Sequence, residues 1–424
     1  MKQTVDGLLS RLTDNPLQRY NALWIIVAGL FSTVGTVLVV GPVFETYLVK
    51  AGLSAAQIGI YGSVGQVTSA AGMFAFVGIV DRLTWRVRAA VILSLAGTLT
   101  PLALAGLSML SLDVQTAEAV FAAVVALAII QQPVASFFSM VYSSLSVRAL
   151  HFNIRGRLTG IQGFTGGLLA LAVGFAAKNI LEAGGFPRGF TVCFAVAVPF
   201  YVACALSRGK MVELPELVRP GRSGSALPWA AIWDVLKVKE FRVLFGPNVL
   251  RGLSDGVVAF AWVMGLKRLS LPDAYAGWAT MANAIAGTLL GTLAIALFVD
   301  RFGPGLVVFA ANALTAVAMV CLAATNSPLV FLGFYALSVF GSTVMGSAVP
   351  LGTYEIGPPE LMGAFSGARL MLLSAGTAIS LPLVGGLLGS VDALPVFAGG
   401  AILKVAGGIW YWYGFRRTRR DPLR

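Results

Sequence analysis

The sequence predicts an all-α membrane protein that crosses the bilayer twelve times. Three observations carry this expectation: scarce charge in an apolar chain, twelve apolar windows of spanning length, and basic residues gathered on one side of those windows. Of the 424 residues, 57% are hydrophobic and 11% are Asp, Glu, Lys or Arg, where a soluble chain carries about 25% charged residues. The 49 glycines suit helices in lipid, where small residues let backbones approach closely.

A helix needs about 20 apolar residues to cross a hydrocarbon core ~30 Å thick. The windows are Ala22–Val49, Gln57–Val80, Ala89–Leu110, Ala117–Leu145, Leu158–Leu181, Phe190–Leu206, Leu244–Leu266, Ala274–Val299, Leu306–Thr325, Leu329–Pro350, Leu361–Leu388 and Leu394–Phe415. The segment before them is polar, and the first window is too long for the apolar core of a cleavable signal, so it is expected to remain as a span. With the N-terminus inside, the cytoplasmic segments hold 22 of the 30 Lys and Arg residues. The outer loops hold only Lys50, Lys178, Arg188, Lys267 and Arg268, and Arg251, Arg369 and Lys404 fall within spans. This asymmetry places both termini in the cytoplasm, with a bacterial inner membrane as the expected location.

The net charge of +12 raises nucleic acid as a partner, but the basic residues sit in short loops and tails, as expected of a chain whose partner is the lipid bilayer. Cys193, Cys204 and Cys321 lie inside apolar spans and His151 lies in a loop, so neither a disulfide nor a metal site is expected. No phosphate-binding Gly-x-x-x-x-Gly-Lys-Ser/Thr occurs, and no cofactor is expected.

The longest connection, Ser207–Val243, holds Pro215, Pro220, Gly221, Gly224 and seven Lys or Arg, and divides the windows six and six. The expected units are therefore 1–21, an N-terminal cytoplasmic segment; 22–206, a first helical bundle; 207–243, a linker; 244–415, a second bundle; and 416–424, a basic tail. Within the linker, Trp229, Ile232, Trp233 and Leu236 recur at helical spacing. They fit an amphipathic helix on the inner membrane surface and fit a plain tether equally well.

The two halves repeat. Leu53-Ser54-Ala55-Ala56-Gln57-Ile58-Gly59 aligns with Leu271-Pro272-Asp273-Ala274-Tyr275-Ala276-Gly277 at an offset of 218 residues, and Asp81-Arg82 aligns with Asp300-Arg301 at 219. One insertion reconciles the offsets, and matched landmarks in the same order mark an internal repeat.

The loops after spans 2 and 8 read Gly78-Ile79-Val80-Asp81-Arg82-Leu83-Thr84-Trp85-Arg86-Val87-Arg88 and Asp300-Arg301-Phe302-Gly303-Pro304-Gly305. With the repeat and the central loop, the chain resembles the major facilitator superfamily (MFS) across nearly its whole length. That family carries roughly Gly-x-x-x-Asp-Arg-x-Gly-Arg-Arg after span 2 and an echo after span 8. Here Thr84 replaces the second Gly of the first copy, and the second copy lacks the trailing basic residues. The resemblance implies twelve transmembrane helices in two pseudo-symmetric six-helix bundles around a cavity lined by spans 1, 4, 7 and 10, exposed alternately to each side. It also implies a cytoplasmic latch at Asp81, Arg82, Asp300 and Arg301. Arg148, Arg155, Arg157, Glu355 and Glu360 are nearby candidates that read equally as ordinary loop charges. Span 5, Gly160-Ile161-Gln162-Gly163-Phe164-Thr165-Gly166-Gly167, lacks the proline of the family's antiporter motif, and the sugar-porter signature is absent from the central loop.

Polar groups are costly in lipid, so polar stripes should face protein or water. Gln132, Ser136, Ser139 and Ser143 share a face of span 4, and Tyr335, Ser338 and Ser342 recur in span 10. Span 1 adds Ser32, Thr33 and Thr36. Any single Ser or Thr fits ordinary helix packing, but the matched stripes suggest a shared cavity. Intramembrane charges point to solute or ion pathways: Arg251 and Asp255, four residues apart on one helix face, and Arg369 are substrate candidates, while Glu45 and Asp255 are coupling candidates with protons as the ion. The resemblance places span 12 at the periphery, so Lys404 is expected to pack structurally or snorkel.

The leading functional expectation is a monomeric secondary transporter of a small organic solute, with Arg251 and Arg369 suggesting an anion. A transporter-like assembly factor or sensor that moves nothing is the alternative. No nucleophile–base or metal constellation appears, so an enzyme ranks last.

Overall fold

The computed structural model describes residues 13–80, 83–110, 117–150, 152–213, 235, 237–238, 241–356 and 362–419. Its spans are α1 (Pro16–Lys50), α2 (Ala55–Val80), α3 (Arg86–Leu110), α4 (Ala117–Ser146), α5 (Arg157–Gly184), α6 (Arg188–Arg208), α7 (Leu244–Leu269), α8 (Tyr275–Val299), α9 (Arg301–Ala324), α10 (Pro328–Thr353), α11 (Gly367–Leu387) and α12 (Ala393–Arg417). Eleven of these are long and apolar enough to cross a membrane, and α2 adds a helix of 26 residues without a charged side chain. Helix continues beyond α4 to Ala149 and before α5 from Phe152, and α1 begins six residues earlier than its apolar window. The proposed surface helix around Trp229–Leu236 lies outside the described residues, Val235 apart.

Local chemistry sets the helix starts. Asn15 caps α1: its Oδ1 accepts from the Leu17 N–H at 2.9 Å and the Gln18 N–H at 3.3 Å, with Pro16 at the first helical position. Such a cap stabilises a helix by about 1 kcal/mol. α2 opens on a reciprocal box in which the Ser54 N–H donates to Gln57 Oε1 at 2.9 Å and the Gln57 N–H donates to Ser54 Oγ at 3.2 Å. Both orphan donors are satisfied within the turn.

Two spans are broken at equivalent places. α1 ends its first piece at Val39, turns at Gly41 with φ 68°, and resumes as Pro42–Lys50. α7 pauses at Phe260 and resumes as Ala261–Leu269. Phe260 follows Gly41 by 219 residues, and each second piece is nine residues long. α8 is π-helical over Ala284–Gly291. After α8 the chain turns at Gly303 with φ 77°, a conformation that glycine adopts without a Cβ clash. This gives the Asp-Arg-x-Gly sequence a backbone reason for its glycine.

α1 packs on α5 and α6, α2 on α4, and α3 on α4 and α6; α7 packs on α11 and α12, and α9 on α10 and α12. α2 against α11 and α5 against α8 join the halves. The α2–α11 seam is tight. A Cβ on Gly59 would run into the Leu381 carbonyl, and one on Gly385 into the Ala55 carbonyl. Pro382 has no N–H to offer the Ala378 carbonyl four residues back, and the Ser63 hydroxyl of α2 donates to that carbonyl at 2.7 Å instead. A proline inside lipid is tolerated when a neighbour repairs the lost bond in this way.

Candidate functional site

The breaks in α1 and α7 bring their second pieces together. The Trp262 indole N–H donates to Thr46 Oγ1 at 2.9 Å, and the Thr46 hydroxyl donates to the Pro42 carbonyl at 2.6 Å. On the same face, Lys50 pairs with Asp273 at 2.9 Å, and Lys267 donates to the Leu53 carbonyl at 3.1 Å. The halves are thus joined on the face opposite the start of α1 and the end of α12.

Beneath this seal lies a cavity of about 290 Å³. Glu45 of α1, Val258, Ala259 and Trp262 of α7, and Tyr335, Ser338, Val339, Ser342 and Thr343 of α10 line it. Each lining group has a structural reason for its place. Glu45 stands in the first turn after the Gly41 break, where the helix dipole favours a carboxylate by roughly 0.3–1 kcal/mol. Among the described residues its side chain has no ion-pair or hydrogen-bond partner. Trp262 lies 5.4 Å from the Tyr335 ring, and Tyr335 stacks on Phe331 at 6.3 Å. The Asn283 amide, one residue before the π-helical turn, donates to the Tyr335 hydroxyl at 3.4 Å. The Ser338 hydroxyl returns to the Tyr335 carbonyl, whereas the buried Ser342 Oγ has no hydrogen-bond partner among the described residues.

A second charged centre adjoins the cavity. Arg251 Nη2 would lie 3.8 Å from a Cβ on Gly346, one turn beyond Ser342 on α10. Arg251 Nε lies 3.3 Å from Asp255 Oδ2, and Lys404 of α12 donates to Asp255 Oδ1. The Lys404 side chain is wholly buried, so of the two expected roles it packs structurally and does not snorkel. An ammonium so deep needs a counter-charge, and Asp255 supplies one to two cations at once.

The remaining sequence candidates fall elsewhere. Ser136 exchanges a 2.8 Å hydrogen bond with Ser69 and donates to the Ser69 carbonyl at 3.0 Å, and Gln132 lies beside Gly65, so both face α2. Ser139 and Thr36 are exposed and Arg369 is buried. Arg148 pairs with Glu213 at the start of the linker at 3.7 Å; Arg157, Arg301 and Glu355 are exposed. Asp81, Arg82 and Glu360, and the side chains of Arg155 and Asp300, lie outside what is described. Glu45, Tyr335, Ser338 and Ser342 therefore share one cavity, with Arg251 and Asp255 next to it. Trp262, Thr46 and Asn283 are additions that the sequence reading did not single out. A tryptophan late in a span was their available signal, since a buried indole N–H usually needs an acceptor.

No protein-family model matches the sequence, and no curated protein matches it. Solved structures do match in fold. A mutant of the nucleoside transporter NupG superposes with TM-score 0.69 at 14% identity, covering 94% of this chain and 99% of that one. Unmutated NupG superposes with TM-score 0.66 at 15% identity, over 95% of this chain and 100% of that one. With its spans, its equivalent breaks in α1 and α7 and this superposition over nearly the whole length, the chain has the major facilitator fold: an all-α membrane protein of two pseudo-symmetric six-helix bundles.

Proposed function

We propose that the protein is a secondary transporter that moves a small organic solute by alternating access of its two halves. The cavity between α1, α7 and α10 carries this reading. It lies at the meeting of the halves, is sealed on one face by side-chain contacts between them, and at about 290 Å³ sits just below the ~300–1,000 Å³ of drug-sized sites. The excess of basic residues near the termini supports a cytoplasmic placement of both ends, in a bacterial inner membrane. The sealed face is then external and the arrangement inward-facing. Protons are the proposed coupling ion, with Glu45 and Asp255 as the intramembrane acids available to carry them. The solved neighbours are named as nucleoside transporters, so nucleosides belong in the first solute panel.

The test is uptake by purified protein in liposomes, with nucleosides, amines and carboxylates offered with and without an inward proton gradient. Accumulation of at least one solute above empty liposomes is expected. Solutes that bind but are neither accumulated nor exchanged would replace the transporter with a sensor or assembly factor.

A further inference from the structure

We infer that the cavity takes a solute that carries both a cationic nitrogen and a flat ring, with Glu45 as its counter-charge. This rests on reading the cavity as a solute site. The charge in the cavity is opposite to that of the chain. Although the protein carries +12 overall, Glu45 is the only charged residue among the described residues lining the cavity. Its carboxylate has no partner among the described residues, and a carboxylate taken from water is stable only when paired. Arg251 of α7, which reaches towards Gly346 of α10, is already engaged by Asp255. An anionic solute would meet Glu45 as a like charge, whereas a cation would complete it.

The walls agree with the charge. Trp262 and Tyr335 present rings 5.4 Å apart at 50°, and ring faces attract an ammonium or guanidinium while stacking on a flat body. The unpartnered Ser342 hydroxyl leaves one polar contact for a group at the far end of the solute. A cationic solute also gives the sealed state a reason to form. Glu45 is on α1 and Trp262 on α7, so one solute touching both draws the halves together at the Thr46–Trp262 bond.

Three probes with the same ring and differing charge test this: phenethylammonium, 2-phenylethanol and 3-phenylpropanoate. Their dissociation constants would be measured calorimetrically on the full chain in lipid nanodiscs. The ammonium is expected to bind about tenfold or more tighter than the alcohol, as a charge-assisted hydrogen bond implies, with the carboxylate weakest. Glu45→Gln should bring ammonium and alcohol to parity. If that variant does not fold, Glu45→Asp should keep the ammonium preference in weakened form. Equal binding of the three probes by the wild type, preference for the carboxylate, or an ammonium preference unchanged in Glu45→Gln overturns the inference. So does a Glu45→Gln protein that loses only the proton-gradient dependence of uptake, because Glu45 would then serve the proton alone. Ammonium-selective binding without uptake leaves the inference standing and removes transport. Uptake of neutral solutes without ammonium preference leaves transport and removes the inference.

Discussion

Thr46 is the residue on which the seal turns, because its hydroxyl oxygen accepts from the Trp262 indole while its proton is committed to the Pro42 carbonyl. Thr46→Val keeps the shape and removes the acceptor, leaving a buried N–H unpaired at a cost of about 1–3 kcal/mol that falls only on the sealed arrangement. Cysteines placed on the sealed face should label faster in this variant, and Thr46→Ser should restore the wild-type rate. Asp255 calls for a different experiment. Asp255→Asn strands Lys404 in the interior, and breaking a buried pair costs about 3–5 kcal/mol. The thermal midpoint should fall steeply in the single variant and recover in part in Asp255→Asn with Lys404→Met, where Arg251 still lacks its partner; a double variant no more stable than the single would mean that Lys404 does not depend on Asp255. Intramembrane charges are rare, so Arg251 and Asp255 were legible in the sequence, and their spacing of four set them on one helix face. The partner of Lys404 was not legible, because a contact between α7 and α12 is a tertiary fact. Nor was the role of Trp262, since an aromatic late in a span reads by default as an interfacial anchor.

At the level of elements, apolar length announced each span, but the breaks in α1 and α7 were hidden. Gly41 and Phe260 are themselves acceptable in lipid, so hydropathy runs through them undisturbed. The breaks bring Glu45 and Trp262 to one cavity, which is why the candidate site was legible only in part. The stripe on α10 was found from periodicity. Its counterpart on α4 has the same spacing yet packs on α2 through Ser136 and Ser69, because a polar period marks a buried face without saying what buries it. The α2–α11 seam makes its own prediction. Gly59→Ala places a methyl against the Leu381 carbonyl, and overpacking of this kind costs about 1–3 kcal/mol. Thermal unfolding should report that loss, whereas Gly97→Ala on α3, where a Cβ meets nothing within 4 Å, should leave stability unchanged or slightly raised.

For the molecule as a whole, the internal repeat anticipated the pseudo-symmetric arrangement, while the conformational state was beyond any sequence signal because it depends on which contacts between halves are made. Protease-sensitive tags on both ends should be cleaved only from the cytoplasmic side. Asp81→Asn and Asp300→Asn should insert normally and change cysteine accessibility on the two faces in opposite directions, if these loops act as a latch; unchanged accessibility in both would remove that role.

The π-helical turn of α8 coincides with a one-residue shift in register between the two halves. The two halves keep an offset of 218 residues at Gly59 and Gly277 and of 219 at Asp81 and Asp300, so the later copy holds one extra residue between these landmarks. A π-helical turn is the form an α-helix takes when it stores one residue too many, and Ala284–Gly291 lies within that interval. Deleting one residue from the turn should rewind it to α-helix and swing Asn283 about 100° relative to the rest of the span, away from Tyr335. One extra residue in the second half would then be what holds one wall of the cavity in place.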